Sequence, residues 1–194
     1  GEGEVWADDM LDSVGAGIGT VLRMMDFVHA REEEFSEGMQ GAEEHDHAGH
    51  GHDEPDGHDH GDSDEIEYDE HIWTSPANAI VLCRAIADAL CTADAENADF
   101  YRANCADYCA QLTALDADFR ALRENAARTL LVFADRFPFR YLTDDYGLDY
   151  YAAFPGCSAE TEASFETVIF LAKKADENGD CIFITETSNG DIAN

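Results

Sequence analysis

Positive charge is what this sequence has least of. Lys and Arg number 11 against 43 Asp and Glu, and the formal net charge is −32. A field of that sign repels phosphate backbones and anionic lipid surfaces, which excludes nucleic acid as a partner. It also gathers cations, although an acid excess can serve solubility alone. No apolar run approaches the roughly 20 residues of a membrane-spanning helix. A secretory signal is missing, but the sequence opens on Gly1 rather than Met and reads as a piece of a longer protein, so the compartment stays open. The six cysteines contain no CxxC pair, which removes a zinc ribbon and a thioredoxin motif. There is no GxSxG, no histidine beyond His71 to act as a base, and no HExxH. A serine hydrolase and a zinc protease are therefore unsupported, and the chain reads as a non-enzyme.

What is present is a concentration of imidazole. The stretch HDHAGHGHDEPDGHDH holds six of the eight histidines: His45, His47, His50, His52, His58 and His60. Between Arg31 and Glu67 the chain is acidic and rich in Gly and His, with almost no large apolar side chain. Such a segment is expected to be disordered without metal. A metal is its obvious ligand, but the tract alone does not say whether metal is carried, stored, sensed or used.

On either side of the tract the patterns are those of a folded protein, with 45% hydrophobic residues to build a core. A helix is expected over about residues 4–14, then a Gly-rich turn, a short helix and an extended piece ending near His29. GAGIG is no phosphate loop, because the Lys-Ser/Thr is missing. Ser75 and Pro76 form an N-cap and first helical position for a helix to about Cys91. A second helix, roughly 94–126, follows from Phe100, Tyr101, Cys105, Tyr108, Leu112, Leu115, Phe119 and Leu122 at three- and four-residue steps. The pattern then alternates. TLLVFAD, LDYYAAF and CIFITET read as strands, with helices in RFPFRYLTDDYG and SAETEASFETVIFLAKKADENG and another beginning at SNGDIAN. Strands alternating with helices mean a parallel sheet and an α/β fold.

Three residues outside the tract are candidates for metal chemistry. His71, in DEHIW just ahead of the capped helix, is either a satisfied surface histidine or a ligand held at a helix entrance. Asp135 ends TLLVFAD and Glu186 ends CIFITE, at the strand edge where open parallel sheets bind ligands. Both could complete a metal site or act as helix-capping acids, and for Glu186, in TETSNGD, capping is preferred.

YDEHIWTSPANAI, the acidic His-rich tract before it, the long helix and DRFPFRYLTDDYGLDYYAAFPGCSAETEASFETV together resemble the zinc and manganese solute-binding proteins of ABC transporters, and the tract points to the zinc-uptake branch. The resemblance implies two (β/α) lobes bridged by one long helix, with both lobes incomplete here. Residues 1–35 would be the C-terminal part of the N-lobe, 36–66 the disordered loop, 67–93 the metal-ligand motif and an N-lobe helix, 94–127 the linker helix, and 128–194 the first part of the C-lobe. It implies His71 as a ligand from the D-x-H-x-W motif, and Asp135 at or beside a second ligand position, where FAD replaces the usual His or Glu. Zn2+ is the implied cargo, with Mn2+ possible because a carboxylate in place of a histidine favours harder ions. The implied setting is extracytoplasmic, periplasmic or lipid-anchored, with a monomer delivering metal to a membrane permease. Two rivals remain: a His-rich storage or chaperone protein, and a metal-dependent hydrolase. Within this picture the histidine tract is an auxiliary antenna of weaker sites. Cys157 and Cys181, which flank C-lobe strands, are the one plausible disulfide, since export permits it.

Overall fold

In a computed structural model the described residues are 5–14, 19–40, 67–158, 162–179 and 182–184. The elements in chain order are α1 (Val5–Val14), α2 (Pro76–Ala93), α3 (Ala98–Asn125), β1 (Leu130–Phe137), α4 (Arg140–Tyr146), β2 (Asp149–Pro155), α5 (Phe165–Asn178) and β3 (Ile182–Ile184). Short 3-10 turns lie at Met24–Phe27, Ile72–Thr74 and Ala95–Asn97. The fold is α/β, as expected: a small parallel sheet of order β2-β1-β3 beside a pair of helices.

The helix pair follows from local chemistry. Ser75 caps α2, its Oγ accepting the Asn78 N–H at 3.1 Å with Pro76 at the first turn. The same hydroxyl donates to the Asp145 carboxylate on α4, so the cap also fastens α2 to the sheet-bearing half. α2 runs to Ala93, two residues beyond the expected end. The expected single helix from 94 is interrupted: Asp94 ends α2 and accepts from Asn97 Nδ2 at 2.9 Å and the Tyr101 hydroxyl at 2.8 Å. These local bonds favour a tight turn over helix at Ala95–Asn97. α3 then spans 28 residues, about 42 Å at 1.5 Å per residue. It packs along α2 and reaches α4.

Two apolar clusters sandwich the sheet. Phe133, Phe137 and Ala152 bury against Met39, while Val132, Ala153 and Phe154 bury against Leu171 of α5. Gly147 ends α4 in the left-handed region (φ 59°), where a side chain would be strained, and the chain turns at once into β2. A third cluster joins Ile72, Leu82 and Tyr141, with Met24, Met25 and Val28 packed on it.

The first cluster corrects one boundary. The acidic segment expected to lose order from residue 36 is still packed through Gln40. Met39 is 3% exposed, the Gln40 N–H donates to the Ala153 carbonyl at 2.9 Å, and Gln40 Oε1 accepts the Ser164 N–H at 2.7 Å. One buried methionine in a polar stretch anchors it, and composition averaged over the segment hid that. The short helix expected before His29 is the 3-10 turn Met24–Phe27, Val28 after it is extended, and an isolated antiparallel bridge between Glu32 and Tyr68 follows.

Candidate metal centre

The bridge sets up the site. Asp69 N–H donates to the Arg31 carbonyl and Glu33 N–H to the Glu67 carbonyl, each at 2.9 Å. Residues 31–33 and 67–69 are thereby clipped together directly before His71. Tyr141 of α4 locks this clip from below. Its hydroxyl donates to the Asp69 carbonyl at 2.8 Å and accepts the Arg31 N–H at 3.0 Å.

Asp69 then fixes His71. Its Oδ1 accepts the His71 backbone N–H at 2.8 Å and lies 3.2 Å from Nδ1 of the ring. The Asp69 side chain is 4% exposed and that of His71 16%. A carboxylate on one ring nitrogen fixes the tautomer and leaves the other nitrogen as the donor. The turn Ile72–Thr74 holds the backbone: Thr74 donates to the His71 carbonyl through its N–H at 3.1 Å and its Oγ1 at 2.8 Å. Ile72 plugs the core beneath, and the exposed Trp73 stands with its ring 5.5 Å from the imidazole.

From the other half of the chain, the loop after β2 closes over the ring. Gly156 approaches so closely that a β-carbon there would lie 2.8 Å from His71 Cε1 and 3.0 Å from the Phe137 carbonyl. The next residue, Cys157, is an exposed free thiol with its Sγ 4.0 Å from His71 Nε2. The expected pairing of Cys157 with Cys181 falls on a residue outside the described ones; among the described residues the thiol faces an imidazole.

The surroundings are strongly acidic. The hydrogen bond to Asp69 holds the His71 imidazole above its ordinary 6.5, and it outweighs burial, which acts the other way. Burial, then the charges of Asp69 and Glu67, raise the Glu33 carboxyl. Burial, then Glu70, Glu33, Asp69 and Glu67, raise the Cys157 thiol. Asp69, Glu70 and Glu33 thus act on both the imidazole and the thiol, and Glu67 on the thiol as well, an environment that attracts a divalent cation.

Asp135 does not end its strand. β1 continues to Phe137, with a register irregularity between Phe133 and Arg136, and Asp135 sits in that bulge. Its Oδ1 accepts the Arg136 N–H at 3.0 Å. An extra residue in a ladder re-aims a side chain near a sheet's functional edge, and alternation of apolar letters cannot reveal it. Among the described residues no group of three or more His, Cys, Asp or Glu side chains is gathered as a metal cluster. Glu186 and all six tract histidines, His45, His47, His50, His52, His58 and His60, lie outside the described residues. Asp69, Glu33, Gly156 and Cys157 were not singled out for the site by sequence. Asp69 had a signal, being the first letter of D-x-H, whereas Cys157 meets His71 across 86 positions and had none.

Known proteins share this sequence and fold. The zinc-binding protein AdcA of Streptococcus pyogenes serotype M3 is 27% identical over 198 residues, covering 98% of this chain and 35% of AdcA. The zinc-binding lipoprotein AdcA of Streptococcus pneumoniae serotype 4 is 31% identical over 146 residues, covering 74% of this chain and 29% of that protein. The chain thus spans about a third of the length of these relatives. The crystal structure of the metal-dependent lipoprotein YcdH from Bacillus subtilis superposes with a TM-score of 0.66 at 21% identity, over 95% of this chain and 56% of YcdH. That likeness is one of fold: mixed helix and sheet, with a long helix and a small parallel sheet. The model of the family ZnuA, zinc-uptake complex component A, periplasmic, matches residues 2–194. With nearly its whole length matched, the chain belongs to this family of zinc-uptake components.

Proposed function

We propose that this chain is the metal-capturing part of an extracytoplasmic solute-binding protein that takes up Zn2+ and passes it to an ABC permease. The observation that carries the reading is His71, whose Nδ1 side is occupied by Asp69 while Nε2 lies on the side of the loop after β2, 4.0 Å from the Cys157 Sγ. Zinc accepts imidazole nitrogen and carboxylate oxygen in a four-coordinate shell. His71 is the first ligand, with Asp135 as a second donor from the sheet edge and Glu186 as a further candidate. The relatives' names, zinc-binding protein and zinc-binding lipoprotein, support zinc over manganese and a setting outside the cytoplasm. Capture needs neither a general base nor an open catalytic position, so the protein works as a carrier.

The tract His45–His60 would serve as an antenna. Imidazoles spaced by one or two residues can chelate in pairs, but binding must offset an ordering cost of about 1–2 kcal/mol per fixed residue. Its sites are therefore weaker than a preformed pocket. Titrating zinc into the protein and into a version lacking residues 41–66 tests this. One tight site surviving the deletion supports capture, and loss of the tight site with the tract would make this a storage protein. The deletion starts at 41 because Met39 and Gln40 belong to the folded core.

A further inference from the structure

We propose that Cys157 is a ligand of the captured metal alongside His71, and that its thiolate is what selects zinc against manganese. The inference rests on the capture reading above.

Three observations carry it. First, the Cys157 Sγ lies on the Nε2 side of His71, at 4.0 Å, opposite the nitrogen that Asp69 holds. An ion bound at Nε2 with a bond of about 2.0–2.1 Å would sit within reach of a thiolate bond of about 2.3 Å. At a tetrahedral angle those bonds place N and S about 3.6 Å apart, so the pair closes by about 0.4 Å on binding. Second, the approach is built in: glycine at 156 lets the loop touch the imidazole and the Phe137 carbonyl, where a β-carbon would collide with both. Register pairing of Phe137 with Pro155 brings that loop to the end of β1, and Arg136 Nε pins it by donating to the Ser158 carbonyl at 2.7 Å. Third, the thiol is free and exposed, so it is neither consumed by a disulfide nor serving as core packing.

The step balances without a redox partner. The Cys157 S–H bond breaks, its proton passes to solvent, and the sulfur lone pair forms the bond to the divalent ion. A coordinating thiol is deprotonated outright by such an ion. Thiolate suits zinc and other softer ions, whereas manganese prefers oxygen donors. A His–Cys edge in an otherwise oxygen-rich pocket would therefore discriminate between the two.

Cobalt(II) tests this, because a cobalt–thiolate bond gives a near-ultraviolet charge-transfer band that imidazole and carboxylate do not. The full chain, kept reduced, is titrated with Co2+ alongside Cys157→Ser and His71→Ala. We expect a saturable thiolate band in the unmodified chain. In Cys157→Ser the band should be lost while His71-dependent Co2+ binding persists, zinc binding should weaken tenfold or more, and Mn2+ binding should weaken less, so that the preference for zinc narrows. The histidine tract contributes no such band. Co2+ binding that depends on His71 but carries no band, or a band that survives Cys157→Ser, overturns the role of Cys157 alone. Binding that is absent or indifferent to His71→Ala overturns the capture reading and this inference with it. Should Cys157→Ser fail to fold, alkylation of Cys157 in the unmodified protein decides: zinc should slow it, and an unchanged rate overturns the proposal.

Discussion

Tyr141, 2% exposed, stands 72 residues from Asp69, yet its hydroxyl donates to the Asp69 carbonyl at 2.8 Å. The clip before His71 and the helix after β1 are therefore joined through one buried hydroxyl. Tyr141→Phe would leave the Asp69 carbonyl and the Arg31 N–H without that partner. An unsatisfied buried polar group costs about 1–3 kcal/mol. Thermal unfolding of the metal-free chain should shift down accordingly, and an unchanged midpoint would show that water replaces the hydroxyl.

Asp69→Asn probes orientation. An amide can still accept the His71 N–H, but it lacks the charge that fixes the ring. Loss of such outer partners of a ligating histidine costs roughly 10–100-fold in metal affinity. Calorimetric zinc titration should show that loss with unfolding little changed. Equal affinity would mean that the imidazole needs no orienting carboxylate.

The pH dependence has a defined sign. The imidazole of His71 is held above its ordinary 6.5 by Asp69, with Glu70 and Glu33 adding to it. In the metal-free chain this pairing contributes stability that is fully present below 6.5 and is lost as pH rises through the raised folded value. Metal binding runs the other way, since Nε2 must be neutral to ligate. Zinc affinity should begin to fall while the pH is still above 6.5 as the solution is acidified. Melting curves and zinc titrations across this range, compared with His71→Gln, check both trends. Parallel curves for the two proteins would remove His71 from both effects.

Gly156→Ala puts a β-carbon where only 2.8 Å separates it from the His71 ring. The ring or the loop must move, and zinc affinity should drop tenfold or more, about 1.4 kcal/mol. Unchanged affinity would show that the β2 loop does not frame the site.

Local chemistry was legible in the sequence wherever one residue type decides the outcome. Ser75 and Pro76 marked the start of α2, and the alternation of strands and helices announced the parallel sheet. Features set by packing or register were not. Met39 looked like part of a polar segment until the face of Phe133 and Phe137 was placed beside it. The bulge at Asp135 left no trace in the order of letters. D-x-H-x-W pointed to His71 and carried Asp69 within it, but the meeting of Cys157 with His71 depends on the path of β2 and on a glycine. A cysteine in an exported chain invites a disulfide, and only the fold turns this one toward an imidazole.

The central claim is that His71 binds the transported ion. The most direct test is the zinc dissociation constant of the intact protein and of His71→Ala, each with and without residues 41–66. We predict that His71→Ala weakens the tight site tenfold or more, about 1.4 kcal/mol, whether or not the tract is present. A tight site unmoved by His71→Ala would contradict the account.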